Sequence, residues 1–178
     1  MFKIKALLTI ALILLCVPAW ATSVTVCDSG CTYTTIAAAL TAVGNGNHTV
    51  TVQGTYTAAE ALTVSKTGAD IGTELTIQAS GTQNLGNVTL SSGSRYIKIK
   101  GFTFTAKRVL DYGSYNVVED NTFIGTRATV TNSLHAYMCY GCTYGTFQNN
   151  TVRHWHYDLL VYTTNYSSNV LIYNNIIF

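Results

Sequence analysis

After Pro18 the chain contains no further proline. Nothing in its main body therefore removes a backbone donor from a strand ladder. Charge is equally scarce, with Asp, Glu, Lys and Arg making up 10% of residues. That excludes long charged tracts, and no nucleic-acid partner is expected. Long apolar runs are limited to residues 6–17, too short to cross a bilayer. Helical periodicity is missing everywhere except one stretch near the N-terminus.

What is present begins with that apolar run. Lys3 and Lys5 precede it, and Ala19-Trp20-Ala21 follows as a small-x-small cleavage site. Residues 1–21 thus read as a secretory signal peptide, which places the mature chain outside the cytosol or in a periplasm and leaves it no membrane span. Lipidation at Cys16 is the alternative, disfavoured by the bulky Leu15 before it. Residues 22–178 have the length of one domain. Without Lys3 and Lys5, eight basic side chains balance eight acidic ones. The halves differ: residues 22–94 carry Lys66 against Asp28, Glu60, Asp70 and Glu74, whereas residues 95–153 carry seven Lys/Arg against Asp111, Glu119 and Asp120. A basic middle can attract an acidic ligand, although ordinary solvated charges give the same count.

Cys27 and Cys31 flank CDSGC, and Cys139 and Cys142 flank CYGC. In an exported chain these read as two local disulfides. A zinc site would need both pairs to meet, and a redox dithiol would need a thioredoxin-like context that the flanking sequence lacks.

Residues 34–44 form the one helical pattern. Ile36, Leu40 and Val43 share a face, Thr34 or Thr35 can cap the start, and Gly44 ends it. Short alternating strands follow at 49–52, 62–64, 75–77 and 88–90, separated by Gly/Ser/Asn/Thr turns.

From residue 96 a nine-residue unit recurs: YIKIKGFTF at 96–104, YNVVEDNTF at 115–123, YGTFQNNTV at 144–152 and NVLIYNNII at 169–177. The fourth column is Ile99, Val118, Phe147, Ile172, and the ninth is Phe104, Phe123, Val152, Ile177. Both predict inward-facing strand positions, with a two-residue corner between them. The seventh column holds Asn121, Asn150 and Asn175 below Phe102. Asn tolerates a left-handed corner, and stacked Asn side chains can hydrogen-bond from coil to coil. A further strand between units, at 109–112, 136–140 and 159–163, makes three short strands per coil. The expected fold is all-β: a single right-handed parallel β-helix over residues 22–178 with an N-terminal capping helix.

The order C-x₃-C-T-Y-T-T-I-A-A-A-L, TVTVQGTY, ALTVSKTG, ELTIQASG, YIKIKGFTF resembles the opening of secreted right-handed β-helix proteins of the pectate-lyase-like superfamily, in particular its polysaccharide-lyase and chondroitinase-B-like group. The resemblance implies binding or cleavage of a polysaccharide, with β-elimination on an acidic glycan as the leading expectation. An enzyme of this kind would be a polysaccharide lyase or a glycoside hydrolase; the alternative is a non-catalytic surface or adhesive module. Ca²⁺ is implied by the resemblance alone, since Asp111, Glu119, Asp120 and Asp158 are too scattered to indicate a metal site or any other cofactor. Relatives run to more coils, so the sequence is expected to be a piece of a longer protein, incomplete at its C-terminus.

β-Elimination needs a cation to neutralise a sugar carboxylate and a base to remove the neighbouring proton. Arg153, His154 and His156 are the catalytic candidates, with Trp155 beside them as a stacking surface. Tyr112, Tyr140 and Tyr162 end three matching strands; outward they would form a ladder for a glycan, inward they would fill the core. Lys98 and Lys100 on an outward face could contact an acidic polymer, or shield an exposed sheet. His135 with Asp111 is a weaker acid–base pair. An ice-binding surface would require a regular T-x-T ladder, which Thr49/Thr51 and Thr103/Thr105 begin but Thr151 does not continue.

Overall fold

The computed structural model describes residues 21–125, 135–155 and 167–178, and residues 159–162 by their backbone. The elements run β1 (Thr22–Val26), α1 (Ile36–Val43), β2 (His48–Val52), β3 (Leu62–Val64), β4 (Leu75–Ala79), β5 (Val88–Leu90), β6 (Ile97–Lys100), β7 (Thr103–Thr105), β8 (Val109–Asp111) and β9 (Val117–Glu119). They continue with β10 (Thr122–Ile124), β11 (Tyr137–Tyr140), β12 (Thr146–Gln148), β13 (Thr151–Arg153), β14 (Leu159–Tyr162), β15 (Leu171–Tyr173) and β16 (Ile176–Ile177).

All ladders between these strands are parallel, and they assemble into three sheets wound into a β-solenoid. Sheet 1 is β1-β2-β4-β6-β9-β12-β15, sheet 2 is β7-β10-β13-β16, and sheet 3 is β3-β5-β8-β11-β14. Three strands per coil hold from β6 onward; the earlier coils contribute to sheets 1 and 3 only. Strand β1, with the pattern TSVTV, escapes the sequence reading because it lies between the cleavage motif and the first cysteine.

The core is a set of vertical apolar columns. Val24, Val50, Ile77, Ile99, Val118, Phe147 and Ile172 stand in register in sheet 1. Phe104, Phe123, Val152 and Ile177 do so in sheet 2, with the two Phe rings stacked 4.6 Å apart. All but the end members Val24, Ile172 and Ile177 are fully buried. Each buried Ile, Val or Phe contributes about 1.5–3 kcal/mol, so the stacking of coils is mainly hydrophobic.

Helix α1 packs on β1 and β2 through Ile36, Ala39 and Leu40. Thr35 caps it by accepting a hydrogen bond from Ala38 N, and Gly44 ends it with φ 75°. A second cap comes from another coil: both Glu60 oxygens accept from Ile36 N and Ala37 N, at 2.8 and 3.2 Å.

The corners explain the repeat. Residues at its sixth column, Gly101, Asp120, Asn149 and Asn174, all have φ between 54° and 78°. The seventh-column Asn residues follow this left-handed residue and use their side chains instead. Asn121 Oδ1 accepts from Phe102 N, Asn150 Oδ1 from Asn121 N, and Asn175 Oδ1 from Asn150 N, each at 2.9 Å. Their amides donate back to Ile99 O, Val118 O and Phe147 O. The first column is left-handed too: Tyr96, Tyr115, Tyr144 and Asn169 have φ between 52° and 57°. Disulfides Cys27–Cys31 and Cys139–Cys142 each close a short local loop. Among the described residues no helix is long and apolar enough to cross a membrane.

Candidate functional site

One corner of the solenoid, between sheets 3 and 1, carries tyrosines on both sides. At the C-terminal ends of sheet 3 strands, Tyr112 and Tyr140 turn outward with ring centroids 5.6 Å apart, and Tyr140 is exposed. The expectation for a third ring at Tyr162 falls outside the described side chains. Asp111, one residue before Tyr112, points inward as strand alternation requires.

Three residues after Tyr112 and four after Tyr140, the left-handed first column projects a second set of rings. Tyr96 and Tyr115 stack at 5.1 Å, and Tyr115 and Tyr144 at 4.6 Å with planes 2° apart. The Arg95 guanidinium lies 5.4 and 5.6 Å from the centroids of Tyr96 and Tyr115, at cation–π distance. Between the two tyrosine sets the corner runs as a bridged column of Thr67, Arg95, Ser114, Thr143 and Ser168. The Thr143 hydroxyl donates to Ser114 Oγ at 2.8 Å. A depression of about 250 Å³ lies beside the second set, against the outward residues Val117, Thr146 and Leu171 of sheet 1.

Neither Arg95 nor the tyrosines of the second set are among the sequence candidates. The signal was available: the first column of the nine-residue unit reads Tyr, Tyr, Tyr, Asn. Its meaning depends on the left-handed backbone, which turns the side chain outward at the corner and is uncommon for Tyr.

Lys98 and Lys100 do face outward on sheet 1, half-buried and in ion pairs. Lys98 Nζ lies 3.5 Å from Glu74 and 3.7 Å from Glu119; Lys100 Nζ lies 3.2 Å from Glu119 and 3.1 Å from Asp120. Burial alone would raise the Glu119 carboxyl. The Gln148 amide at 2.7 Å and the two lysines outweigh it and hold the group below the ordinary carboxylate value. Lys100 is pushed above its ordinary value, first by its bond to Asp120; lost hydration opposes this and Glu119 reinforces it. Both lysines are thus engaged with the carboxylates beside them.

The Arg153 cluster sits elsewhere, at the end of sheet 2. Arg153 occupies the outward column Thr105–Ile124–Arg153, half-buried, and its Nε has no hydrogen-bond partner among the described residues. His154 follows at a left-handed corner, φ 62°, and is exposed. Trp155 packs partly against the core. His156 falls outside the described residues. The fold therefore separates Arg153 and His154 from Lys98 and Lys100 and from both tyrosine sets.

Asp111 belongs to a buried network rather than to a surface. Its Oδ1 accepts from Gly113 N and Asn116 Nδ2, both at 2.9 Å, and its Oδ2 from the Tyr137 hydroxyl at 3.1 Å. Burial pushes the Asp111 carboxyl up despite these donors, and burial together with Asp111 pushes the Tyr137 phenol up. Asn116 ties the network to Ser94 Oγ and to Ile97 N in the preceding coil.

Among the described residues no group of three His, Cys, Asp or Glu side chains is placed to hold a metal ion. No family model matches this chain, and no curated protein or solved structure matches it either.

Proposed function

We propose that this β-solenoid is an exported polysaccharide-binding module that holds a glycan chain along its tyrosine-bearing corner, without cleaving it. The observation that carries the reading is the pair of outward aromatic sets, Tyr112–Tyr140 and Tyr96–Tyr115–Tyr144, flanking a corner lined by Ser114, Thr143 and Ser168. Tyr112, Tyr140 and the open face of Tyr144 can cover the C–H faces of sugars, with the stacked Tyr96 and Tyr115 rings backing Tyr144, and hydroxyls meet the O–H rims. The two disulfides and the leader-like N-terminus fit an oxidising compartment.

Elimination chemistry has less support. It requires an unpaired cation and a base aimed at one sugar. Lys98 and Lys100 are both paired with carboxylates. The lyase reading keeps one observation in its favour: an exposed His154 beside Arg153, whose Nε lacks a partner among the described residues.

Affinity electrophoresis of the whole chain in gels holding a panel of neutral and acidic polysaccharides tests the binding reading. Retardation by at least one glycan is expected, and retardation by none overturns it. Ultraviolet absorbance from unsaturated sugar, followed with alginate, pectate and chondroitin, is expected to stay flat. A rise that disappears in Arg153→Ala or His154→Ala would establish the lyase reading instead.

A further inference from the structure

Within the column Tyr96, Tyr115, Tyr144, Asn169, the rings cover one another until the last step. Tyr115 has a ring on each side. Tyr144 is followed by Asn169, which has no ring, so one face of Tyr144 is left uncovered and the residue is 47% exposed. The 250 Å³ depression runs beside the column from the Tyr115 coil to this interruption. Its apolar surfaces are Tyr115, Tyr144, Val117, Leu171 and Ile71, and Asn169 and Thr146 add hydrogen-bonding groups. An open aromatic face, an aliphatic floor and a few polar atoms match a pyranose ring, which is apolar on its faces and polar at its rim.

Charge then decides which kind of sugar. Among the described residues the face carries the cations Arg95, Lys98 and Lys100. It also holds three carboxylates, Glu74, Glu119 and Asp120, all of them partners of the lysines. Arg95 is stacked over rings. Glu74 itself borders the depression. A polyanion meets no net positive field here and must approach a carboxylate. The basic count of residues 95–153 does not produce a basic surface at this place.

We propose that the depression at Tyr144 is a subsite for an uncharged sugar unit of a neutral polysaccharide. The inference rests on the glycan-binding reading above. It departs from the acidic ligand that the sequence resemblance implies.

Titration calorimetry with the whole chain, at low and at high salt, compares neutral chains (mixed-linkage β-glucan, xylan, galactomannan) with alginate and pectate. Binding to a neutral chain, unchanged by salt, is expected. Tyr144→Asn should weaken it about tenfold, the loss of one aromatic contact, while Tyr144→Phe retains it. Asn is accommodated there because Asn169 holds the same column with φ 56°. Leu171→Gln, an exposed change on the sheet, should also weaken binding and guards against a folding defect in the first variant. Binding of alginate or pectate in preference, falling steeply with salt, overturns the neutral assignment and leaves glycan binding standing. Neutral binding untouched by both variants overturns the location. No binding to any chain overturns the glycan reading, and the subsite with it.

Discussion

Asn150 reaches from its own coil to Asn121 in the one before: its Oδ1 accepts from Asn121 N at 2.9 Å while its Nδ2 donates to Val118 O at 2.9 Å. One fully buried side chain thus satisfies the corner N–H of Asn121 and adds a second donor to Val118 O, a carbonyl of β9, which is laddered to β12. Asn150→Ala leaves the Asn121 N–H buried and unpaired, at about 1–3 kcal/mol. We expect a drop of about 1–3 kcal/mol in unfolding free energy, read as a lower urea midpoint at unchanged slope. A loss well below about 1 kcal/mol would mean that water takes over the bond and the ladder is dispensable.

Glu60 caps a helix from a distance of 24 residues. Its carboxylate accepts from Ile36 N and Ala37 N and from the Tyr56 hydroxyl at 2.7 Å. Burial first, then Glu60, raises the Tyr56 phenol. Glu60→Ala removes a charge-assisted cap at the positive end of the helix dipole, with an expected cost of about 2–4 kcal/mol. Hydrogen exchange should show α1 opening before sheet 1 in the variant. Uniform loss of protection along the chain would show that the helix and the first coils unfold as one unit instead.

Two glycines give opposite expectations. A Cβ on Gly113 would overlap Ser94 Oγ and Ser94 O and come within 2.5 Å of Asn116 Nδ2. Gly113→Ala must therefore displace the buried Asp111–Asn116–Ser94 network, and a loss of more than about 3 kcal/mol is expected. A Cβ on Gly93 meets nothing within 4 Å, and its φ is not left-handed. Gly93→Ala should be neutral or stabilise by up to about 1 kcal/mol, through the unfolded chain. Thermal denaturation of the two variants side by side checks both.

The columns that carry the fold were legible in the sequence because burial on a pleated strand enforces period two and each coil repeats it. Ile99, Val118 and Phe147 align by eye, and so do Phe104, Phe123 and Val152. Asn116 shows the limit. It interrupts the apolar second column and looks like an irregularity, yet it is fully buried and bonded to Ile97 N, Ser94 and Asp111. The site was less legible. Lys98 and Lys100 look like free cations until Glu74, distant in sequence, arrives beside Lys98. The Tyr96 column is visible as letters, but only its left-handed φ turns it into a surface.

Acid titration should separate two buried carboxyls of opposite sign. The folded state holds the Asp111 proton more tightly than the unfolded state, whose value is near 3.8. Above that pH the folded protein binds more protons, so stability falls as pH rises toward the raised folded value. Glu119 behaves the other way. Its folded value lies below 4.5, so its contribution is complete above 4.5 and is lost as pH falls through the lowered folded value. The two groups therefore act in opposite senses: Glu119 makes stability rise with pH up to about 4.5, and Asp111 makes it fall from about 3.8 upward, toward its raised folded value. Asp111→Asn keeps the acceptor for Gly113 and Asn116 and carries no charge. It should abolish the fall that begins near pH 3.8 and leave the variant more stable than the native chain at neutral pH. Glu119→Gln should flatten the acid limb and cost stability at neutral pH, where Lys98 and Lys100 lose their shared partner. Urea midpoints measured across the acid range for the three proteins decide the matter. A fall with rising pH that persists unchanged in Asp111→Asn would assign it to another group.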